Sequence, residues 1–274
     1  GLEDIRKGKI RVLHEKSFKD DPTRILRAVR FEQRLGFCMG RKALALLKQA
    51  LKKGGARTVK APRYFAEFEK VLKEENPVAA IRRLNQLEGL KFLRGSQGPS
   101  MALMNRVQRF RVSQQKKDLF CNQDWPSIYL MGLLSGKSRT FVQKMSKEFQ
   151  WTRVRTKKIQ ESLAAPEIVK ELQQRGLTPS NVYRLLHPLS VDTICFVCAM
   201  AISRQVSHYV QGYLTRTCHV KLIITGATLK QETGVSGLHI GKIMEALLLK
   251  KMDGKVKTLR EEKKEAQRMA VALK

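Results

Sequence analysis

A chain of 274 residues with 42% hydrophobic content is long enough to bury a substantial core in one or two domains. Its charge is lopsided, 54 Lys and Arg against 24 Asp and Glu for a formal net charge of +30, which predicts an anionic partner, nucleic acid before a membrane surface. No run of about 18 or more apolar residues is present to span a bilayer, and no signal-peptide pattern is found. The five cysteines, Cys38, Cys121, Cys195, Cys198 and Cys218, are odd in number and scattered, which argues for free thiols in a reducing compartment. Cys195 and Cys198 fall inside the apolar run Ile194 to Met200 and read as buried structural residues rather than half of a metal site.

In chain order, residues 1–12 read as an extended piece with a turn at Lys7-Gly8. A helix is predicted next, with Asp20 as N-cap, acidic Asp21 beside it, Pro22 in the first turn and Gly36 as the stop. At about 100° per residue, Ile25, Leu26 and Val29 share one face, and Arg24, Arg27, Arg30, Arg34 and Phe31 share another. Such an arginine stripe can clamp phosphates and stack on a base; a solvated basic face is the alternative reading. Asp21 and Arg24, three apart, are neighbours on the helix surface. A carboxylate accepts from an exocyclic amine and a guanidinium donates to a ring nitrogen or oxygen, so the pair can imitate a Watson–Crick partner for C or A.

Helices are predicted over 42–53, closed by Gly54-Gly55, over 62–72, with Phe65, Phe68 and Leu72 on one face, and over 76–90. Arg63 and Glu67 stand at i,i+4, as a brace or as an ordinary surface pair. The Gly/Ser/Pro stretch 92–99 reads as a linker. Beyond it come helices over 100–117, 125–134, 138–149, 152–163, 166–175, 179–187 and 190–217. Between Lys137 and Lys158 eight basic residues stand against one acid, Glu148, with Phe149 and Trp151 among them. Lys144, Lys147, Arg153, Arg155, Lys157 and Lys158 are the candidate RNA-binding residues of that stretch; a solvated helix pair is the alternative. Near the end, the Gly-containing turns at 224–230 and 237–243 either hold RNA phosphates on backbone N–H groups or simply connect helices. The fold class is all-α, with a short extended segment at the N-terminus. The sequence holds no Asp-x-Asp, the paired carboxylates that two-metal phosphoryl transfer uses, and no metal site is predicted.

The stretch Asp20-Asp21, Arg24, Leu26-Arg27 and Arg30-Phe31 resembles the neck helix of the class II tRNA nucleotidyltransferase and bacterial poly(A) polymerase family, with Asp20 where the family usually has Glu. Gly1-Leu2-x-Asp4 and Gly8-x-Ile10-Arg11 resemble the family's exit strand from its catalytic head, and Arg63 with Glu67 matches its bracing pair. Thr225-Gly226-x-x-Leu229, Ile240-Gly241 and Leu247-Leu248 resemble its tail, with Leu238-His239 in place of the usual Gly-Pro. The resemblance implies an exit strand at 1–18 from a head that the chain lacks, a base-selecting neck at 19–94, an RNA-binding body at 95–220 and a tail at 221–274. It implies that Asp21 and Arg24 recognise the base, that Arg27, Arg30 and Arg63 hold phosphates or order the neck, and that the whole enzyme adds CMP or AMP to tRNA 3′ ends.

Its implied substrates are ATP and CTP, with Mg2+ bound by the absent head. Its implied partners are the acceptor stem and elbow of tRNA and a separate head-domain chain, with no membrane; the expected compartment is the cytoplasm, an organellar matrix or a stroma. Without the head, the chain alone is expected to be a fragment or split product inactive in nucleotidyl transfer. A poly(A) polymerase relative, or a non-enzymatic RNA-binding module that has lost its head, are the other readings.

Overall fold

The computed structural model describes residues 1–54, 59–94, 98–114, 120 and 122–272. In order they form α1 (Leu2–Arg6), β1 (Lys9–Ile10), α2 (Ser17–Asp20), α3 (Thr23–Leu35), β2 (Cys38–Met39), α4 (Arg41–Lys52), α5 (Ala61–Leu72), α6 (Pro77–Gln86), α7 (Lys91–Arg94), α8 (Met101–Gln114) and α9 (Trp125–Leu134). There follow α10 (Arg139–Phe149), α11 (Arg153–Ser162), α12 (Ala165–Leu172), α13 (Pro179–Leu186), α14 (Val191–Ala201), α15 (Arg204–Thr215), a 3₁₀ turn (Thr217–His219), α16 (Gly226–Thr233), α17 (Leu238–Met252) and α18 (Leu259–Val271). The fold is all-α apart from one two-stranded parallel ladder, in which Lys9 pairs with Cys38 and Ile10 with Met39. Among the described residues no single helix is long and apolar enough to cross a membrane.

The chain divides into two compact units, Gly1–Pro166 with Ser190–Met200, and Glu167–Leu189 with Ala201–Lys274. In the first, α3 lies against α5 and α6, α5 against α9 and α10, and α8 and α11 against α9. Ile25, Leu26 and Val29 are fully buried, as the α3 periodicity predicts, and Gly36 closes that helix at φ 65°, a left-handed conformation that glycine adopts without a Cβ clash. Caps set the later helices: Asp124 accepts from the Ser127 N–H, Ser138 from that of Phe141 and Thr152 from that of Arg155. The second unit places α13 against α15 and α17, and buries Ile224, Leu229, Val235, Ile243, Leu247, Ala266 and Ala270 among α16, α17 and α18.

Several local expectations are corrected. Leu2–Arg6 is helical, so only Lys9–Ile10 of the first twelve residues pairs as strand. Asp20 ends the short α2 instead of capping α3; the acid at the head of α3 is Asp21, whose Oδ1 accepts from the Thr23 N–H at 3.1 Å. The helix expected over 190–217 is two, because Ile202 takes a positive φ of 43° and Ser203 caps a fresh start by accepting from the Val206 N–H. Lys91–Arg94 of the expected linker is helical, while Gly95, Ser96 and Gln97 lie outside the described residues, as do Gly55, residues 115–117 and Cys121. Cys195 and Cys198 are buried in α14, where burial pushes both thiols up, that of Cys198 to about 12.

Candidate nucleotide and RNA interface

The start of α3 gathers the residues predicted to read a base. Asp21 is half-buried. Its Oδ1 accepts from the Thr23 N–H and, at 2.6 Å, from the Thr23 hydroxyl, and its Oδ2 accepts from Arg63 Nη2 at 3.1 Å. Burial pushes the Asp21 carboxyl up, but the Thr23 hydrogen bonds and the Arg63 and Arg24 charges outweigh it and hold the pKa below its ordinary value. Asp21 is therefore an ionised acceptor at neutral pH. Arg24, one helical turn on, donates from Nη1 to the Ser17 carbonyl at 3.4 Å, which ties its head to the end of α2.

The arginine stripe divides along the helix. Arg27 is exposed. Arg30 is half-buried, lies 4.8 Å from the Phe31 ring centroid and stands 3.8 Å from Glu67 and 3.6 Å from Glu74. Arg34 stands 3.8 Å from the same Glu74. The lower stripe is thus compensated by carboxylates of α5 and the turn after it, and the upper residues Arg24 and Arg27 have more freedom to meet an anion. The expected Arg63–Glu67 brace does not form. Arg63 turns to Asp21, while Glu67 meets Arg30 and Lys70, because α5 presents residues four apart to different neighbours once α3 packs against it.

The basic stretch on α10 and α11 also divides. Lys144, Lys147, Arg153 and Lys157 are exposed, with Lys157 3.9 Å from Glu161. Arg155 turns inward, donating to Glu69 at 2.6 Å and to the Ser127 hydroxyl at 3.3 Å, and Lys158 pairs with Asp192 and stands 3.9 Å from Asp124. Phe149 and Trp151 are buried with Phe65, against which Phe149 stacks at 5.0 Å; they build the core under the basic surface rather than standing on it.

Sequence reasoning missed the contacts that fix α3. Arg83 of α6 donates from Nε at 2.9 Å and Nη2 at 3.3 Å to the buried Glu32 carboxylate, which also accepts from the Met39 N–H. The partners are 51 positions apart, so no local spacing announces them. Among the described residues, no group of three or more His, Cys, Asp or Glu stands together to hold a metal ion. They do not fit the magnesium that the resemblance implies for a whole enzyme.

No protein-family model matches the sequence. The chain is 29% identical over 288 residues to an A-adding tRNA nucleotidyltransferase of Geobacter sulfurreducens, an alignment that covers 97% of this chain and 31% of that protein. It superposes on a CCA-adding enzyme in complex with ATP with a TM-score of 0.82 and 32% identity, covering 100% of this chain and 66% of that one. A Thermotoga maritima CCA-adding enzyme complexed with tRNA gives a TM-score of 0.79 at 30% identity, again over 100% of this chain and 66% of that one. The chain therefore spans about a third of the curated relative and just under two thirds of these solved chains. Along 97% of its sequence and throughout its fold, the chain is homologous to A-adding and CCA-adding tRNA nucleotidyltransferases.

Proposed function

We propose that this chain supplies base selection and RNA grip to an enzyme that adds CMP or AMP from CTP or ATP to tRNA 3′ ends, with a neck at 19–94, a body at 95–220 and a tail at 221–274. The observation that carries the reading is the fixed Asp21 carboxylate beside Arg24 at the head of α3. An ionised acceptor and a guanidinium donor one turn apart match the edges of C and A and mismatch those of U and G. Arg63 acts on Asp21, Arg27 is available to phosphate, and Arg30 orders the stripe. Exposed Lys144, Lys147, Arg153 and Lys157 meet RNA phosphates, and Arg155 and Lys158 hold α11 in place for them. The chain by itself does not transfer nucleotides, because it has no Asp-x-Asp carboxylates for the metals that activate the attacking hydroxyl.

The test joins the chain to a matching head and replaces Arg24 by Ala. Incorporation of each of the four nucleotides should show discrimination against U and G falling by about 5- to 150-fold, the worth of one bidentate contact, with tRNA affinity little changed. Retained preference for C and A with lost tRNA affinity would make Arg24 a phosphate clamp instead. The same assay on the chain alone should incorporate nothing; robust incorporation would place catalytic groups within it.

A further inference from the structure

Arg63 of α5 faces Asp21, and the next residue, Tyr64, points about 100° further round the helix. Tyr64 forms part of the wall of a separate cleft of about 680 Å³, completed by Lys52 at the end of α4, Glu88 and Phe92 around α7, and Lys144 and Phe149 of α10. That volume lies within the roughly 300–1,000 Å³ in which small molecules bind.

Four observations single the cleft out. Tyr64 is 1% exposed and its hydroxyl has no hydrogen-bond partner among the described residues, an arrangement that costs free energy unless something else supplies the partner. Burial accordingly pushes its pKa well up, so the phenol stays protonated and able to donate. Phe92 is only half-buried; its ring meets Tyr64 edge-on at 4.9 Å and lies 6.0 Å from Phe149, which leaves aromatic surface towards the cleft. Glu88 is held at φ 59°, a left-handed conformation that residues with a Cβ rarely take, with its carboxylate accepting from Lys91 at 2.7 Å. Lys52 and Lys144 are exposed on the rim and have no carboxylate within ion-pair distance among the described residues, although Glu148 shares the rim.

We propose that this cleft is a second nucleotide-binding site, in which a base packs on Phe92 and hydrogen-bonds the Tyr64 hydroxyl while Lys52 and Lys144 hold its phosphate. An aromatic face beside cations is the general chemistry of unstacked-base capture. The ligand class is a nucleotide, either free or one residue of a bound RNA strand. The site is independent of the base selection argued for Asp21 and Arg24.

The test uses the full chain carrying Arg24→Ala, so that the α3 site contributes less, and titrates it calorimetrically with AMP, CMP and a short single-stranded RNA. Into this parent go Tyr64→Phe, which keeps the ring, Phe92→Leu, and Lys52→Glu, a rim residue outside the α10 surface. Each should weaken binding by roughly two- to tenfold. Tyr64→Phe should also melt at the same temperature as the parent or higher, since it removes an unpaired buried hydroxyl. Losses with mononucleotide and RNA alike mark a site for free nucleotide; losses with RNA alone, AMP and CMP not binding, mark a site for one nucleotide of a strand. No binding of any probe by the parent overturns the proposal. So does unchanged binding by Tyr64→Phe and Phe92→Leu, even where Lys52→Glu weakens it, because that result describes a phosphate contact at the rim with no base in the cleft.

Discussion

Arg63 Nη2 stands 3.1 Å from Asp21 Oδ2 across 42 positions of sequence, so α5 holds the carboxylate at the head of α3 from the side while Thr23 holds it from within. Three donors converge on one carboxylate, so its orientation is set by the fold itself. Under the base-selecting role proposed above, such pre-setting spares the pair the cost of ordering at the moment of binding.

The depressed Asp21 pKa fixes the sign of a pH effect. A carboxyl with a lowered folded pKa contributes stability that is fully present above the unfolded value of about 3.9 and is lost as pH falls through the folded value. Asp21→Asn should therefore be less stable than wild type by about 1 kcal/mol at neutral pH, and the gap should narrow as pH falls below about 4. Denaturant melts at pH 7 and pH 3 measure it; a gap that widens in acid would contradict the assignment.

The exposed basic surface predicts salt-dependent binding. Reversing Lys144, Lys147, Arg153 and Lys157 together should weaken tRNA binding and flatten the slope of log K against log salt by about 3 to 4, at about 0.9 per duplex phosphate released. Filter binding at several ionic strengths gives both quantities. An unchanged slope would move the phosphate contacts to the neck or the tail.

The Arg83–Glu32 pair predicts a stability effect with its own control. Arg83→Ala leaves a buried carboxylate without its main partner and should cost about 2–3 kcal/mol. Combining Arg83→Met with Glu32→Gln should recover much of that loss, since the uncompensated charge is then gone. Equal stability of the single and double variants would show that the pair contributes shape rather than charge compensation.

In the second unit, Glu262 is fully buried and accepts from the Ile223 N–H at 2.8 Å, the Ile224 N–H at 2.7 Å and Lys251 Nζ at 2.6 Å. Glu262→Ala should orphan all three donors and destabilise the chain by about 3 kcal/mol or more, read as a shift of the denaturation midpoint. A loss under about 0.5 kcal/mol would mean that water replaces the carboxylate.

The sequence by itself determined the helical class, the buried face of α3, the spacing of Asp21 and Arg24 at its head, and the basic character of α10 and α11, because periodicity, spacing and composition are local quantities. Tertiary structure alone decided which charges are available. Arg155 and Lys158 look the same in sequence as Lys157, yet two of the three meet carboxylates on other elements, Glu69 and Asp192, and one does not. Arg63 stands four residues from Glu67 and pairs instead with Asp21, since the packing of α5 on α3 brings a more distant carboxylate closer to its guanidinium than the local one. Ser190–Met200 joins the first compact unit although its flanking residues belong to the second, and no local signal marks that return. Side-chain partners separated by 40 to 90 positions are chosen by how helices dock, and docking is settled by the whole buried surface at once, which no window of sequence contains.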